Sequence, residues 1–336
     1  MSRRSTGYDS RSTYPNFLSL QETLRLQLGF ALAGLREGLR WDIVISAVAR
    51  DPEIQSNVIK SVLLNSLSLA SIYTFDLLLR PLFQNQAAWF HRNLGWFYQV
   101  FWVMPVISVS LYLNSSWSML IARRVYTLQH GPRALAQHQP TTYSGILTTL
   151  ATSAYRAVMV VTSVMVSFLL AYTPIIGPLI SFIYLSWVDS YYFFEFIWIA
   201  RGLSLSRRIR FLEERWVYFL GFGMPSAAIC SIGSGLANGA IFALIYPAFI
   251  IMAIHARPTP SDPYSPTETE SVIHPSPFVP IRLRIFAPVL LLNDTIVRVL
   301  SVGGGGGHRR TGSGDSSELV EEGTHRITPK MRRKLD

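Results

Sequence analysis

DSYYFFEFIWIARGLSLSRRIRFLEERWVYFLGFGMP, residues 189–225, is the stretch around which the rest of this chain is arranged. An apolar, aromatic-rich segment containing one isolated acid, Glu195, runs into a basic stretch. A second apolar segment then opens with aromatic residues and breaks at Pro225. The basic stretch carries five arginines: Arg201, Arg207, Arg208, Arg210 and Arg215. This order predicts a membrane segment, an aqueous basic loop and a second membrane segment.

The composition also points to lipid. Of 336 residues, 49% are hydrophobic and only 15% are charged, whereas soluble domains carry about a quarter charged residues. The net charge of +10 comes from residues beside the apolar blocks, which favours cytosolic loops and anionic lipid headgroups over nucleic acid. One cysteine, Cys230, excludes an internal disulfide and a cysteine-based zinc cluster. The seven histidines show no metal-ligand spacing and no Ser-His-Asp arrangement stands out, so we expect no metal, no cofactor and no enzymatic activity.

Apolar segments repeat along the chain. A membrane-spanning helix needs about 20 mostly apolar residues. Six segments qualify: 58–79, 96–122, 154–173, 175–200 and two within 217–255. Only TPIIGP (173–178) separates the third and fourth, and GSGLANG (233–239) predicts the turn inside 217–255. The sequence predicts an all-α, polytopic membrane domain over 58–255, with hairpins 154–200 and 217–255 either spanning or re-entrant.

The flanking segments differ in character. Leucines spaced by three or four residues between positions 28 and 39 predict an amphipathic helix, either interfacial or an ordinary surface helix. The predicted regions outside the membrane domain are a disordered polar tail (1–23), the amphipathic interfacial helix (24–50), a Pro/Ser-rich linker (256–280), an interfacial or docked helix (281–302) and a Gly-rich, charged disordered tail (303–336).

Charge predicts the orientation in the membrane. Connections with many arginines alternate with connections that have two (Arg80 and Arg92, after the first segment) or none (the turns at 173–178 and 233–239), and basic loops stay on the cytosolic side. Both termini are therefore predicted to be cytosolic. The five arginines of the basic loop are candidate lipid-headgroup contacts, or serve only to set the topology.

Two acids lie inside the fourth segment. An ionisable group in a membrane span costs about 2.5 to 3.5 kcal/mol on insertion scales, so Glu195 and Asp189 are candidate functional residues. Six residues correspond to a rotation of roughly 120° away from a shared helix face, so the two do not form an obvious carboxylate pair. Glu195 is either an ion-path carboxylate or a tether between helices. Candidate tether partners are Arg156, Arg201, Tyr191 and Tyr192.

Several short motifs resemble one known family. The run LEERWVYFLGFGMP (212–225) resembles the most characteristic stretch of the etoposide-induced protein 2.4 family. A Tyr-x-Phe-Glu signature precedes it, IYPAFII (245–251) follows it, and LRIF (283–286) and LREGL (35–39) are also similar. The matching motif residues are Tyr192, Glu195, Trp198, Glu214, Trp216, Tyr218, Gly221, Gly223, Pro225 and Pro247.

The resemblance implies an endoplasmic-reticulum membrane protein of eukaryotes that supports autophagosome formation or maturation. It also implies a distant relation to bacterial CysZ-type sulfate permeases, in which some hairpins penetrate only part of the bilayer. The expected partners are the lipid bilayer, anionic lipid headgroups and autophagy proteins. The alternative function is a channel or permease for a small anion such as sulfate. The Pro/Ser-rich insert after Arg257 and the glycine tail depart from the family pattern.

Overall fold

The computed structural model describes residues 16–74, 77, 104–131, 158–232, 236–263 and 273–302. Within these ranges the predicted all-α class is confirmed, with one parallel contact between two-residue strands, β1 (Asn16–Phe17) and β2 (Ile273–His274). Ten helices are described there: α1 Leu20–Glu37, α2 Trp41–Arg50, α3 Pro52–Thr74, α4 Met104–His130, α5 Val158–Ala171, α6 Gly177–Ala200, α7 Leu205–Glu214, α8 Trp216–Cys230, α9 Leu236–His255 and α10 Ala287–Val302.

The apolar segment at the centre of the chain ends at a glycine. Gly202 follows α6 in the left-handed region, with φ of 70°, which glycine adopts without steric penalty. Its N–H donates to the Ile199 carbonyl at 2.9 Å, and the Leu203 N–H donates to the Trp198 carbonyl at 2.9 Å. These two bonds satisfy carbonyls left open at a helix C-terminus and turn the chain into the basic loop.

Two tight turns produce the predicted hairpins. Between α5 and α6, a Cβ at Gly177 would overlap the Ala171 carbonyl, so only glycine fits there. The hydroxyls of Ser167 and Ser181 hydrogen-bond across this hairpin at 2.9 Å. In the second hairpin α9 already begins at Leu236, so the predicted turn over 233–239 is wrong in its second half. Residues 231–232 form a turn directly after α8, and Gly239 occupies an open helical position within α9.

The core lies where α6, α8 and α9 meet. Phe194 of α6 packs against Phe219 and Phe222 of α8 with ring centroids 5.0 and 4.9 Å apart. Phe193 stacks on Phe249 of α9 at 4.7 Å. Aromatic side chains bury large areas in such edge-to-face and stacked pairs, so the opening stretch of the sequence also forms the centre of the fold.

The flanking segments pack on this core. The predicted helix 24–50 falls on two helices, α1 and α2, separated by residues 38–40. The described ends of the Pro/Ser-rich segment are held in place, since Ser276 N–H donates to Thr23 Oγ1 at 3.0 Å and Leu18 N–H donates to the His274 carbonyl at 2.9 Å. Thr162 of α5 donates to Asn293 of α10 at 2.9 Å, which docks α10.

One described helix, Ala237–His255 within α9, is long and apolar enough to cross a membrane; α5 and α8 are apolar but shorter. Parts of the predicted segments lie outside the described residues: 75–76 and 78–79 of the first segment, 96–103 of the second and 154–157 of the third. The predicted tails 1–15 and 303–336 and linker residues 264–272 also lie outside them.

Candidate functional site

The motif glycines let α8 pack closely between two helices. A Cβ at Gly221 would overlap the carbonyl oxygen of Ala31 in α1, and a Cβ at Gly223 would overlap the carbonyl oxygen of Ser186 in α6. Positions two residues apart lie about 200° apart around a helix. The two glycines therefore face opposite neighbours, and the Gly-Phe-Gly motif is explained by close packing of small residues.

The motif aromatics tie α8 to distant parts of the chain. The Tyr218 hydroxyl donates to a carboxylate oxygen of Glu37, which also accepts the Arg257 N–H at 2.9 Å. Trp216 Nε1 donates to the Pro280 carbonyl at 3.2 Å. The start of α8 thus joins the end of α1, the second residue after α9 and the Pro/Ser-rich segment.

The other motif residues lie inside the helices. Trp198 is buried and its ring centroid lies 5.7 Å from that of Phe219. Tyr192 is also buried, and its carbonyl accepts the Tyr246 hydroxyl at 3.3 Å. Pro225 and Pro247 lie within α8 and α9. Glu214 ends α7 and pairs with Arg210 at 2.7 Å.

The two acids of α6 are both buried. Ser226 of α8 donates to Asp189 Oδ2 at 2.7 Å, and Glu195 is 3% exposed. Six residues separate the acids by about 9 Å along the helix axis. The described part of the chain contains no group of three or more His, Cys, Asp or Glu that could hold a metal ion. Of the arginines predicted as partners of Glu195, Arg201 is exposed after the end of α6 and Arg156 lies outside the described residues. The role of Glu195 as a tether between helices remains a prediction.

Two of the five basic-loop arginines are buried rather than on the surface. Arg208 Nε donates to the Leu203 carbonyl at 2.7 Å. Arg215 donates to the carbonyls of Pro260 and Ser261 at 2.8 and 2.7 Å. A guanidinium that is only 8% exposed and bonded to carbonyls stabilises the fold and is not available to a lipid phosphate.

The remaining three arginines of the loop are exposed. Arg201 lies just after α6, and Arg207 and Arg210 lie on the outer face of α7. Arg210 pairs with Glu214 across one helical turn, an arrangement that contributes little in water. Contact with lipid headgroups stays a prediction for Arg201, Arg207 and Arg210.

Glu213 is a buried acid that sequence reasoning missed. Its carboxylate, 2% exposed, accepts a hydrogen bond from Arg282 Nε at 2.7 Å and forms an ion pair with Arg282 Nη2 at 2.6 Å. Burial raises the pKa of Glu213, while the Arg282 guanidinium and the Phe286 N–H act in the opposite direction. The Glu213 carbonyl also accepts the Leu283 N–H at 3.1 Å. The LEER and LRIF motifs are therefore in contact. The sequence signal that could have found Glu213 is the three-residue spacing of Ile209 and Leu212, which indicates the buried face of α7.

A second missed feature is a line of polar side chains between α3 and α4. Its members are spaced by three or four residues on each helix, so each set lies on one helix face. We call it the α3–α4 polar seam; it comprises Ser61, Asn65 and Ser68 of α3 and Ser110 and Asn114 of α4, all buried. Ser61 donates to Asn114 Oδ1 at 2.7 Å, and the hydroxyls of Ser68 and Ser110 are 3.0 Å apart.

The seam reaches α9, which contains Pro247. Proline lacks an N–H, so Pro247 leaves the carbonyl four residues earlier, at Ala243, without its helical donor. Asn65 Nδ2 donates to that carbonyl at 3.1 Å and also to Asn114 Oδ1 at 2.9 Å. The amide of Asn65 thus satisfies the backbone group that the Pro247 motif leaves open.

Comparison with known proteins extends these observations. A protein-family model described as "Sulfate transporter CysZ/Etoposide-induced protein 2.4" matches residues 40–247. That range contains the α3–α4 polar seam, both acids of α6, the basic loop and the two motif prolines. No solved structure matches the chain.

Three relatives share stretches of this sequence. "Protein EI24 homolog" of Dictyostelium discoideum is 31% identical over 159 residues, which are 47% of this chain and 50% of that protein. "Protein EI24 homolog" of Arabidopsis thaliana is 27% identical over 179 residues, 48% of this chain and 56% of that protein. "Ectopic P granules protein 4" of Caenorhabditis elegans is 41% identical over 85 residues, 25% and 27% of the two chains. The match spans about half the length of the first two relatives.

Proposed function

Because the chain belongs to the sulfate transporter CysZ/etoposide-induced protein 2.4 family, we propose that it is an integral membrane protein of the endoplasmic reticulum that supports autophagosome formation or maturation. The observation that carries the proposal is the family match over 40–247, which includes the motif residues packed at the centre of the fold. The protein acts without catalysis, as a membrane-shaping or scaffold component with autophagy proteins as partners.

The proposed membrane domain consists of the apolar segments within 58–255, with both termini in the cytosol. The length and composition of Ala237–His255 support insertion of α9 into the membrane. The length of α8 supports a re-entrant hairpin: its 15 residues extend about 22 Å, less than the hydrocarbon thickness of about 30 Å. Buried, mutually bonded polar groups such as those of the α3–α4 polar seam also suit helices in lipid, where unpaired polar groups are costly.

The autophagy proposal is tested by deleting the gene in its own cells. We expect delivery of a cytosolic reporter to the degradative compartment to fall and autophagosomes to accumulate unmatured. The wild-type chain and Gly29→Ala are expected to restore delivery, because Gly29 has open space around it, whereas Gly221→Ala is not, because its Cβ would overlap α1. Normal autophagosome maturation in the deletion strain would refute the proposal.

The second candidate is a permease for a small anion such as sulfate. The family description, which names a sulfate transporter, favours it, and the α3–α4 polar seam places hydroxyl and amide groups inside two apolar segments, as in the lining of a polar pathway. Purified protein in liposomes is expected to take up labelled sulfate, and Asn65→Ala to take up less than Ser66→Ala, whose side chain is exposed. The absence of flux in both wild type and Glu195→Gln would exclude this function.

A further inference from the structure

Helix α1 presents three distinct sectors around its axis, at about 100° per residue. One sector faces the core and includes Thr23, Phe30 and Gly34. A second sector, exposed and polar, carries Glu22, Arg25, Gly29 and Arg36. The third sector, exposed and apolar, is the leucine face, which we define as Leu20, Leu24, Leu28 and Leu32.

The leucine face is open over its whole length. Its four side chains are 48%, 55%, 59% and 56% exposed, in chain order. The described residues place no element over them. A row of half-exposed leucines at four-residue spacing is a contiguous apolar strip, which marks an interaction surface on a well-folded helix.

The direction of this face is set by close contacts on the opposite side of α1. A Cβ at Gly34 would overlap the Tyr218 carbonyl, and a Cβ at Gly38 would lie 2.6 Å from the Phe222 carbonyl. At its start, α1 is closed by a capping box between Ser19 and Glu22. Rotation of α1 about its axis would break these contacts, so the leucines cannot turn inward.

The charges beside the leucine face identify its partner. Arg25 and Arg36 are exposed in the neighbouring polar sector, whose one acid, Glu22, is engaged in the capping box with Ser19, so basic groups border an apolar strip along the same helix. This combination matches the boundary between anionic headgroups and acyl chains, where leucines enter the apolar layer and arginines meet phosphates. A protein partner would need a complementary groove with acids along one edge.

We propose that the leucine face of α1 is inserted into the headgroup–acyl boundary of an anionic membrane, with Arg25 and Arg36 at the level of the lipid phosphates. This inference rests on the proposed membrane location of the protein and adds the residues and lipid charge that hold its N-terminal helix. It goes beyond the spanning segments, because α1 precedes all of them.

The test uses the full chain with Cys230→Ala and one fluorescent label at a time. Leu28→Cys labels the leucine face, Gly29→Cys labels the adjacent polar sector where a side chain has room, and Leu63→Cys labels an exposed apolar position of α3. The protein is reconstituted in vesicles of phosphatidylcholine with phosphatidylserine, containing a lipid with a shallow nitroxide quencher. We expect quenching at Leu28 to exceed that at Gly29 by about twofold or more, as for a helix lying in the interface.

The outcomes separate this inference from the membrane proposal. Quenching at Leu63 with equal, weak quenching at Leu28 and Gly29 would overturn the inference and leave the membrane location standing. Loss of quenching at all three positions would overturn both. A Leu28 label that escapes the quencher and changes its emission on dilution of the protein would assign the face to a second copy, against the proposal.

The charge component has its own control. In vesicles without phosphatidylserine, or in the Arg25→Gln/Arg36→Gln variant, the Leu28 quenching is expected to fall toward the Gly29 value. Unchanged Leu28 quenching under both conditions would overturn the role of the anionic headgroups. Equal thermal unfolding midpoints for the labelled variants verify that each comparison is made on folded protein.

Discussion

At the residue scale, three glycines set how closely α1 and α8 approach each other. Gly34 of α1, Gly38 directly after it and Gly221 of α8 each bring a Cα against a carbonyl of the facing segment. Backbone contacts of this kind allow dispersion contacts along the whole interface, and they fail when any side chain is added. The absence of a side chain at these three positions is therefore what allows α1 and α8 to pack together.

Adding one methyl group at Gly221 tests this packing. Gly221→Ala is expected to lower the free energy of unfolding by about 1 to 3 kcal/mol, because the new Cβ overlaps the Ala31 carbonyl. Gly29→Ala, in the same pair of helices but with no atom within 4 Å, is expected to raise stability by about 0.4 to 1 kcal/mol. Thermal unfolding in detergent measures both, and equal effects of the two changes would contradict the packing argument.

Asn65 offers a second prediction at the residue scale. Asn65→Leu removes the donor to the Ala243 carbonyl and is expected to cost about 1 to 3 kcal/mol, the penalty for leaving a buried acceptor unsatisfied. In a Pro247→Ala background the helix regains the N–H that can serve this carbonyl, so the same change should cost less.

A double-mutant cycle on unfolding midpoints measures this coupling. Ser66→Ala, an exposed change one residue along α3, serves as the control with an effect within about 0.5 kcal/mol. Additive effects of Asn65→Leu and Pro247→Ala would show that the amide does not compensate for the hydrogen bond that Pro247 removes.

At the element scale, Glu213 fastens the segment before α10 to α7. Its raised pKa means that the folded state binds the proton more tightly than the unfolded state does. The stabilisation that comes from protonated Glu213 is complete below the Glu213 pKa of the unfolded state, and it is lost as pH rises through the Glu213 pKa of the folded state. Lowering the pH should therefore favour wild type over Glu213→Gln, which cannot titrate there.

Unfolding midpoints from about pH 7 down to about pH 4.5 check this prediction. Arg282→Gln should make the pH dependence steeper, because the guanidinium opposes the effect of burial on the Glu213 pKa. Parallel pH profiles for wild type and Glu213→Gln would contradict the raised pKa.

Asp51, between α2 and α3, has a pKa that is shifted in the opposite direction from that of Glu213. Burial would raise its pKa, but hydrogen bonds from Arg124 Nε at 2.7 Å and from the N–H groups of Ile54 and Glu53 leave the pKa lowered. Its contribution is therefore present above the unfolded pKa and is lost as pH falls through the folded pKa. Because the same carboxylate caps α3 and bonds to Arg124 of α4, protonation of Asp51 should weaken the packing of these two helices.

At the scale of the whole molecule, the α8–α9 hairpin distinguishes a re-entrant from a spanning arrangement. Ile232 at its tip is 81% exposed and follows a helix too short to cross the hydrocarbon layer. In a Cys230→Ala background, Ile232→Cys is expected to resist water-soluble maleimide from both sides and to react with a membrane-permeant one. Arg207→Cys, in the basic loop, should react from the cytosolic side, and labelling of Ile232→Cys from the lumen would establish a full span.

Much of the secondary structure and of its order along the chain could be predicted from short stretches of sequence. The all-α class, the hairpin at TPIIGP and the identity of the family motifs depend on composition, on Gly and Pro positions and on short runs, which neighbouring residues determine. The turn in 217–255 was placed too late because glycine also occurs at open helical positions such as Gly239. The sequence does not show whether the space around a glycine such as Gly239 is filled by a neighbouring helix or open.

What the sequence by itself determined is therefore the helical character, the apolar segments, the basic loop at the centre and the family. Only the tertiary structure decided which contacts these residues make. Gly221 and Gly223 pack against α1 and α6, and Glu213 pairs with Arg282. Arg208 and Arg215 are buried, and Asn65 donates to a carbonyl 178 residues away. The reason is physical. Periodicity shows that a helix has a face, but which helix covers that face depends on contacts between residues far apart in the chain.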